Sequence, residues 1–130
     1  MNQLEKARTG SPNGGAFLDQ LAGHGILLPK RDELEAYVAL HLDLAMLLDG
    51  MCKKVRAAFG PTAELSLEMY SDPDFDDRYP TLYVRQQSYA PDIMDCLDSV
   101  YAEFHRPLEA VSGYFLVTTD FRRPRGANCL

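Results

Sequence analysis

The chain has 130 residues, of which 46% are hydrophobic and 25% charged, values that suit one globular domain burying roughly two thirds of its unfolded surface and that argue against wholesale disorder. The formal net charge is -6, and Arg122, Arg123 and Arg125 all lie near the C-terminus, so setting their three positive charges aside leaves -9 on the remainder. An acidic body repels a phosphate backbone and three arginines give a small counterion-release term, which speaks against nucleic acid and for a basic or neutral protein partner.

Residues 1–15 contain Thr9-Gly-Ser-Pro-Asn-Gly-Gly15, a breaker-rich run that predicts a mobile arm ahead of a single domain over 16–124, with 125–130 as a tail. The opening Met1-Asn-Gln-Leu-Glu-Lys-Ala-Arg8 has no apolar centre, and no apolar run approaches bilayer length, which predicts a chain that neither is secreted nor spans a membrane. Cys52, Cys96 and Cys129 are odd in number and form no CxxC pair; a reducing cytoplasm suits them better than a disulfide scaffold, and Cys52 and Cys96 read as small core residues.

Phe17, Leu18 and Leu21 mark a short helix stopped at Gly23 and Gly25. After Pro29, the acidic run Arg31-Asp-Glu-Leu-Glu35 opens a long helix whose apolar positions Leu34, Val38, His41, Ala45, Leu48, Cys52, Val55 and Phe59 recur by steps of four and three. Tyr37, Leu40, Leu44, Leu47 and Met51 widen that stripe, and Gly60-Pro61 ends it. Such an apolar helix exceeds what a small sheet readily covers, although one long helix can also span a small sheet and be buried by it. Where that surface is exposed, Leu34, Leu40, His41, Leu47, Leu48 and Val55 are candidate interface residues for a protein partner or an antiparallel homodimer.

Glu64-Leu-Ser-Leu-Glu-Met-Tyr70 and Thr81-Leu-Tyr-Val-Arg-Gln-Gln87 alternate with the period of two expected of strands with one buried face. The intervening residues 71–80 read as a long acidic loop. Ile93, Leu97, Val100, Tyr101 and Phe104 then line one face of an amphipathic helix ending near Pro107, and Tyr114-Phe-Leu-Val-Thr-Thr-Asp-Phe121 reads as a well-covered strand. The expected fold class is α+β: N-terminal helices, one of them long, followed by β-β-α-β, with helices packed on one face of a small three-stranded sheet. A third strand placed beside the first would run parallel to it.

On the polar sheet face, Glu68, Tyr70, Tyr83, Arg85 and Asp120 form a candidate interaction or anion-binding surface. A cross-strand ion pair on a solvated face is the plainer reading. Asp72, Asp74 and Asp76 offer oxygen ligands to a hard cation, but the EF-hand pattern fails, with Asp77 at its sixth position and Tyr83 at its twelfth, and turn-capping accounts for them better. His41 is a candidate general base with no nucleophile motif beside it; Ser112-Gly113 lacks the pattern of a nucleophile elbow. No cofactor motif is present, and none is expected.

The run Leu65-x-Leu-Glu-Met-Tyr-x-Asp-Pro73, with Tyr83-Val-Arg85 and Thr118-Thr-Asp-Phe121, resembles a family of small prokaryotic proteins that have no assigned activity. The resemblance covers about half the chain and implies a shared shape in a bacterial-type cytoplasm, with no catalytic residues to carry over. No motif demands one reaction. The reading that results is a noncatalytic protein-interaction module, one half of an operon-encoded pair. The alternative is a metal-dependent hydrolase or nuclease using Glu68, Asp72, Asp74 and Asp120 with Arg85 as charge stabiliser, and a third is an anion or metabolite sensor centred on Arg85 and Tyr83.

Overall fold

A computed structural model describes residues 14–74 and 77–124. The arm expected over 1–15 lies outside the described residues up to residue 13, as do the tail 125–130 and Asp76. The elements are α1 (Gly14–Gly23), α2 (Arg31–Leu40), α3 (Leu42–Phe59), β1 (Glu64–Asp72), β2 (Asp77–Arg85), α4 (Ile93–Ala102), α5 (His105–Glu109) and β3 (Leu116–Thr118). This is the expected α+β order of N-terminal helices followed by β-β-α-β. Among the described residues, no helix is long and apolar enough to cross a membrane.

The helical stripe predicted as one continuous helix is broken at a single residue. His41, at φ -134° and ψ 61°, separates α2 from α3, although neither glycine nor proline stands there. Both halves keep the phase of the stripe: Leu34 and Val38 are buried on α2, and Leu44, Ala45, Leu48, Met51, Cys52 and Val55 on α3. Asp32 and Glu33 in the first turn of α2 and Asp43 in that of α3 complement the positive helix ends. At the other end of α3, Arg56 donates to the carbonyls of Gly60 and Ala63, and Gly60 turns the chain away at φ 87°.

The strands are longer, and their connection shorter, than alternation predicts. β1 and β2 pair antiparallel from Glu64↔Arg85 to Asp72↔Asp77, which leaves residues 73–76 as the connection rather than 71–80. Sheet order is β1-β2-β3, with β3 parallel to β2 through Leu82↔Val117. The third strand thus lies beside the second, not the first. β3 is only three residues long, and Tyr114 is exposed while Phe115 is buried, so that segment is covered on one face and not on both. Pro80 sits in the central strand without breaking it. Leu67 N–H donates to Leu27 C=O and Leu65 C=O accepts from Leu27 N–H, so odd-numbered β1 residues point away from β2. Pro80, opposite Met69, points likewise away from β1, to a side where β3 has not yet begun.

Leu65, Leu67, Leu82, Val84, Phe115 and Val117 from the sheet form one buried cluster with the stripes of α2 and α3 and with Leu18, Leu21, Ile93, Leu97 and Val100. Cys52 belongs to it, and burial pushes its thiol up to about 12. Cys96 departs from its expected core position: it is exposed on the outer side of α4.

Candidate functional site

Alternation puts Glu64, Ser66, Glu68 and Tyr70 of β1 on the sheet face opposite the core, level with Arg85, Tyr83, Thr81 and Tyr79 of β2. Thr118 is level with Tyr83, so Asp120, two residues further on, reaches the height of Arg85. Its position is fixed by a turn in which Phe121 takes a left-handed φ of 59° and Arg122 N–H donates to Asp120 Oδ1.

Arg85 gathers these carboxylates. Its Nε and Nη2 donate to Asp120 Oδ1 and Oδ2 at 3.1 and 2.8 Å, Nη1 to Glu64 Oε2 at 3.2 Å and Nη2 to Glu68 Oε2 at 3.2 Å. Glu68 also accepts the Ser66 hydroxyl at 2.7 Å, and the guanidinium lies 5.2 Å from the Tyr83 ring centroid. The Arg85 side chain is only 3% exposed, against 22% for Glu68 and 23% for Asp120. The guanidinium is held charged by Asp120 and Glu64, and its hydrogen bonds hold the Asp120 carboxyl below its usual range. Burial, then Glu68 and Asp120, push the Tyr83 phenol up.

The structure brings Glu68, Tyr83, Arg85 and Asp120 together, and the geometry decides what they can do. Arg85 is buried and spent on carboxylates, so it offers no vacant fork to an anion. Three carboxylates around one guanidinium leave a formal surplus of two negative charges, which attracts cationic groups and repels phosphate. Exposed Arg122, 3.7 Å from Asp120, offsets this weakly.

The same face continues as a run of tyrosines from β1 and β2 to the segment that leads into β3. Tyr70 and Tyr79 lie 5.3 Å apart by ring centroids, and Tyr79 and Tyr114 4.6 Å apart in an edge-on contact. A cleft of about 540 Å³ opens beside them, lined by Tyr37, Asp77, Arg78, Tyr79, Gly113 and Tyr114. Burial, then the neighbouring Tyr114 and Tyr70, raise the Tyr79 phenol.

Asp72 and Asp74 stand elsewhere. Asp72 is four residues along β1 from Glu68, about 13 Å at the usual rise, and its Oδ1 accepts the Asp74 N–H at 2.9 Å, a turn cap. Asp76 lies outside the described residues. Among the described residues no three His, Cys, Asp or Glu side chains converge to hold a metal ion. The four carboxylates of the hydrolase alternative are thus divided between two ends of the sheet.

The helix stripe is likewise divided. Leu34, Leu48 and Val55 are fully buried in the chain's own core and present nothing to a partner, and Leu47 packs partly against that core. Leu40, by contrast, is 80% exposed, and Met46 is 71% exposed nearby in sequence. The surplus apolar surface sits at the α2–α3 break.

His41 has a neighbour that spacing did not reveal. Its Nδ1 lies 2.9 Å from Ser112 Oγ, which lies 2.8 Å from Asp43 Oδ1, while Ser112 N–H donates to Asp43 Oδ2 at 2.8 Å. Ser112 holds the Asp43 carboxyl below its usual range, so Asp43 is an acceptor and takes the single hydroxyl hydrogen. His41 Nδ1 is then the donor to Ser112. A base that donates to its serine does not activate it, and the trio acts as a strap between the α5–β3 loop and the helix break. Only the adjacent Ser112-Gly113 pair hinted at a special backbone there.

No family model, no curated protein and no solved structure matches the chain.

Proposed function

We propose that the chain is a noncatalytic protein-binding module acting in the cytoplasm, with the polar sheet face as its contact surface and a basic protein as its partner. The observation that carries this reading is the saturation of Arg85: its guanidinium is enclosed by Glu64, Glu68 and Asp120, and the charge left over is negative, partly exposed and continuous with Tyr70, Tyr79 and Tyr114. Tyrosine is a frequent anchor of interfaces because it combines a large apolar ring with a hydrogen-bonding end, and carboxylates beside it select cationic partners. The hydrolase reading gains no support, since the carboxylates it needs are either committed to Arg85 or capping a turn.

Native mass spectrometry of tagged protein, purified gently from its own host, tests the proposal. A second protein at fixed stoichiometry is expected. Glu68→Gln combined with Tyr70→Ala should release it without lowering the melting temperature greatly, because glutamine keeps an acceptor oxygen for Arg85 and Ser66 while removing the charge, and Tyr70 lies at the accessible rim of the face. Retained divalent metal with no partner, or a partner still held by the double variant, would refute the reading.

A further inference from the structure

The outer edge of β1 is closed along only part of its length. Leu27 pairs with it at Ser66, donating to Leu65 C=O and accepting from Leu67 N–H, each at 2.9 Å. The chain then turns away at Pro29 into α2. Further along β1, Met69 and Ser71 continue the outward-pointing series set by Leu65 and Leu67, and among the described residues no strand pairs with them. Unpaired N–H and C=O groups in extended register form a template for another strand, and edges are usually blunted by proline, lysine or a bulge. Residues 68–72 read Glu-Met-Tyr-Ser-Asp and contain neither proline nor lysine, and their pairing with β2 runs without a bulge.

We propose that this half-open edge of β1 receives an extended protein segment of alternating basic and apolar residues as a fourth strand. The inference rests on the binding-module reading and specifies how its partner engages. On the polar face the edge presents Glu68, Tyr70 and Asp72 at every second position, a repeat of about 7 Å that alternate side chains of an added strand match. Basic side chains there meet Glu68 within the surplus charge around Arg85, the face of the exposed Tyr70, and Asp72. On the other face, Met69 lines a cleft of about 150 Å³ with Ala36, Leu40 and Arg78, and the intervening apolar side chains of the added strand cover Met69 and the exposed Leu40. A second copy of this chain fits poorly. Antiparallel pairing of β1 with itself about Tyr70 sets Glu68 against Asp72, and like charges directly opposite are unfavourable.

The probe is a synthetic peptide alternating arginine with valine, titrated onto the folded protein and followed by amide hydrogen exchange. Binding with slowed exchange at Met69 and Ser71 is expected. Ser71→Pro removes an outward N–H while leaving the β1–β2 ladder intact, and should weaken binding about tenfold or more, the loss of one main-chain hydrogen bond. N-methylating alternate peptide amides should do the same, which keeps the test decisive if Ser71→Pro folds poorly. A glutamate-for-arginine peptide should not bind. Equal binding by wild type and Ser71→Pro, with N-methylation also harmless, would place the peptide on the sheet face and overturn the edge while sparing the module reading. Failure of the peptide to bind, with a host partner still held by Ser71→Pro, would do likewise. Self-association abolished by Ser71→Pro would assign the edge to a second copy and overturn the proposal. Absence of any host partner from the wild type would sink the module reading alone, and peptide-dependent protection at Met69 and Ser71 would still stand as evidence for the edge.

Discussion

A Cβ placed on Gly113 would come within 2.9 Å of His41 Cγ, and as close to the Tyr37 hydroxyl. Gly113 also takes φ +79°, where a side chain is strained even in open space. The loop before β3 is therefore seated on the α2–α3 break so tightly that only glycine fits, and Tyr114 N–H donating to Tyr37 Oη at 2.9 Å fixes its exit. Gly113→Ala should lower the unfolding free energy by roughly 2 kcal/mol in urea titration. An unchanged midpoint would mean that the loop moves freely away from His41.

The strap formed by Ser112 has a separate consequence. Ser112→Ala leaves the backbone in place but removes the hydroxyl that accepts from His41 and donates to Asp43. The midpoint of thermal unfolding should fall, and exchange of the Ser112 and Tyr114 amides should quicken by about tenfold as the loop opens locally. In a Tyr37→Phe background, which also frees the Tyr114 amide, the two losses should be less than additive, because both groups hold one loop. Strict additivity would show that the two contacts act independently.

What the sequence conveyed and withheld divides by distance along the chain. The alternation of β1 and β2 is local and is enough to set Glu68, Tyr83 and Arg85 on one face, where Asp120 reaches Arg85 from beyond β3. The break at His41 is not local: no glycine or proline marks it, and its partner Ser112 is 71 residues away. The stripe through Leu34, Leu48 and Val55 has the same spacing whether the helix faces its own sheet or another chain, so periodicity alone could not assign those residues to the core. The hairpin pairs further than the alternation of apolar residues reaches, and Pro80 is tolerated within it because its nitrogen faces a side where no neighbour requires an N–H. Cys96 was misplaced because a small residue one position from the apolar stripe reads as core.

The cysteines give a direct check on the fold. Cys52 is buried with its thiol pushed up to about 12, whereas Cys96 is exposed. In a Cys129→Ser background, a maleimide at pH 7 should label one thiol rapidly in the native protein and the second only at the rate of unfolding, because the reagent reaches the exposed Cys96 but not the core around Cys52. Peptide mapping should assign the fast site to Cys96. Rapid labelling of Cys52 under native conditions would contradict the packing of α3 against the sheet.

Arg85 governs how the fold responds to acid. Asp120 has its pKa lowered in the folded state, mainly by the hydrogen bonds from Arg85, so its contribution is fully present above the unfolded aspartate value of about 3.9 and is lost as pH falls through the lower folded value. Arg85→Met removes the donor and leaves Glu64, Glu68 and Asp120 facing one another, which should lower stability by about 3 kcal/mol at pH 7. Protonation relieves that repulsion, so the gap between variant and wild type should narrow as pH drops from about 5 towards 3. Asp120→Asn should be less destabilising and should flatten the acid limb of the wild-type curve. Urea titrations across that range decide the matter: a gap that stays constant or widens on acidification would show that the carboxylates are not coupled to Arg85.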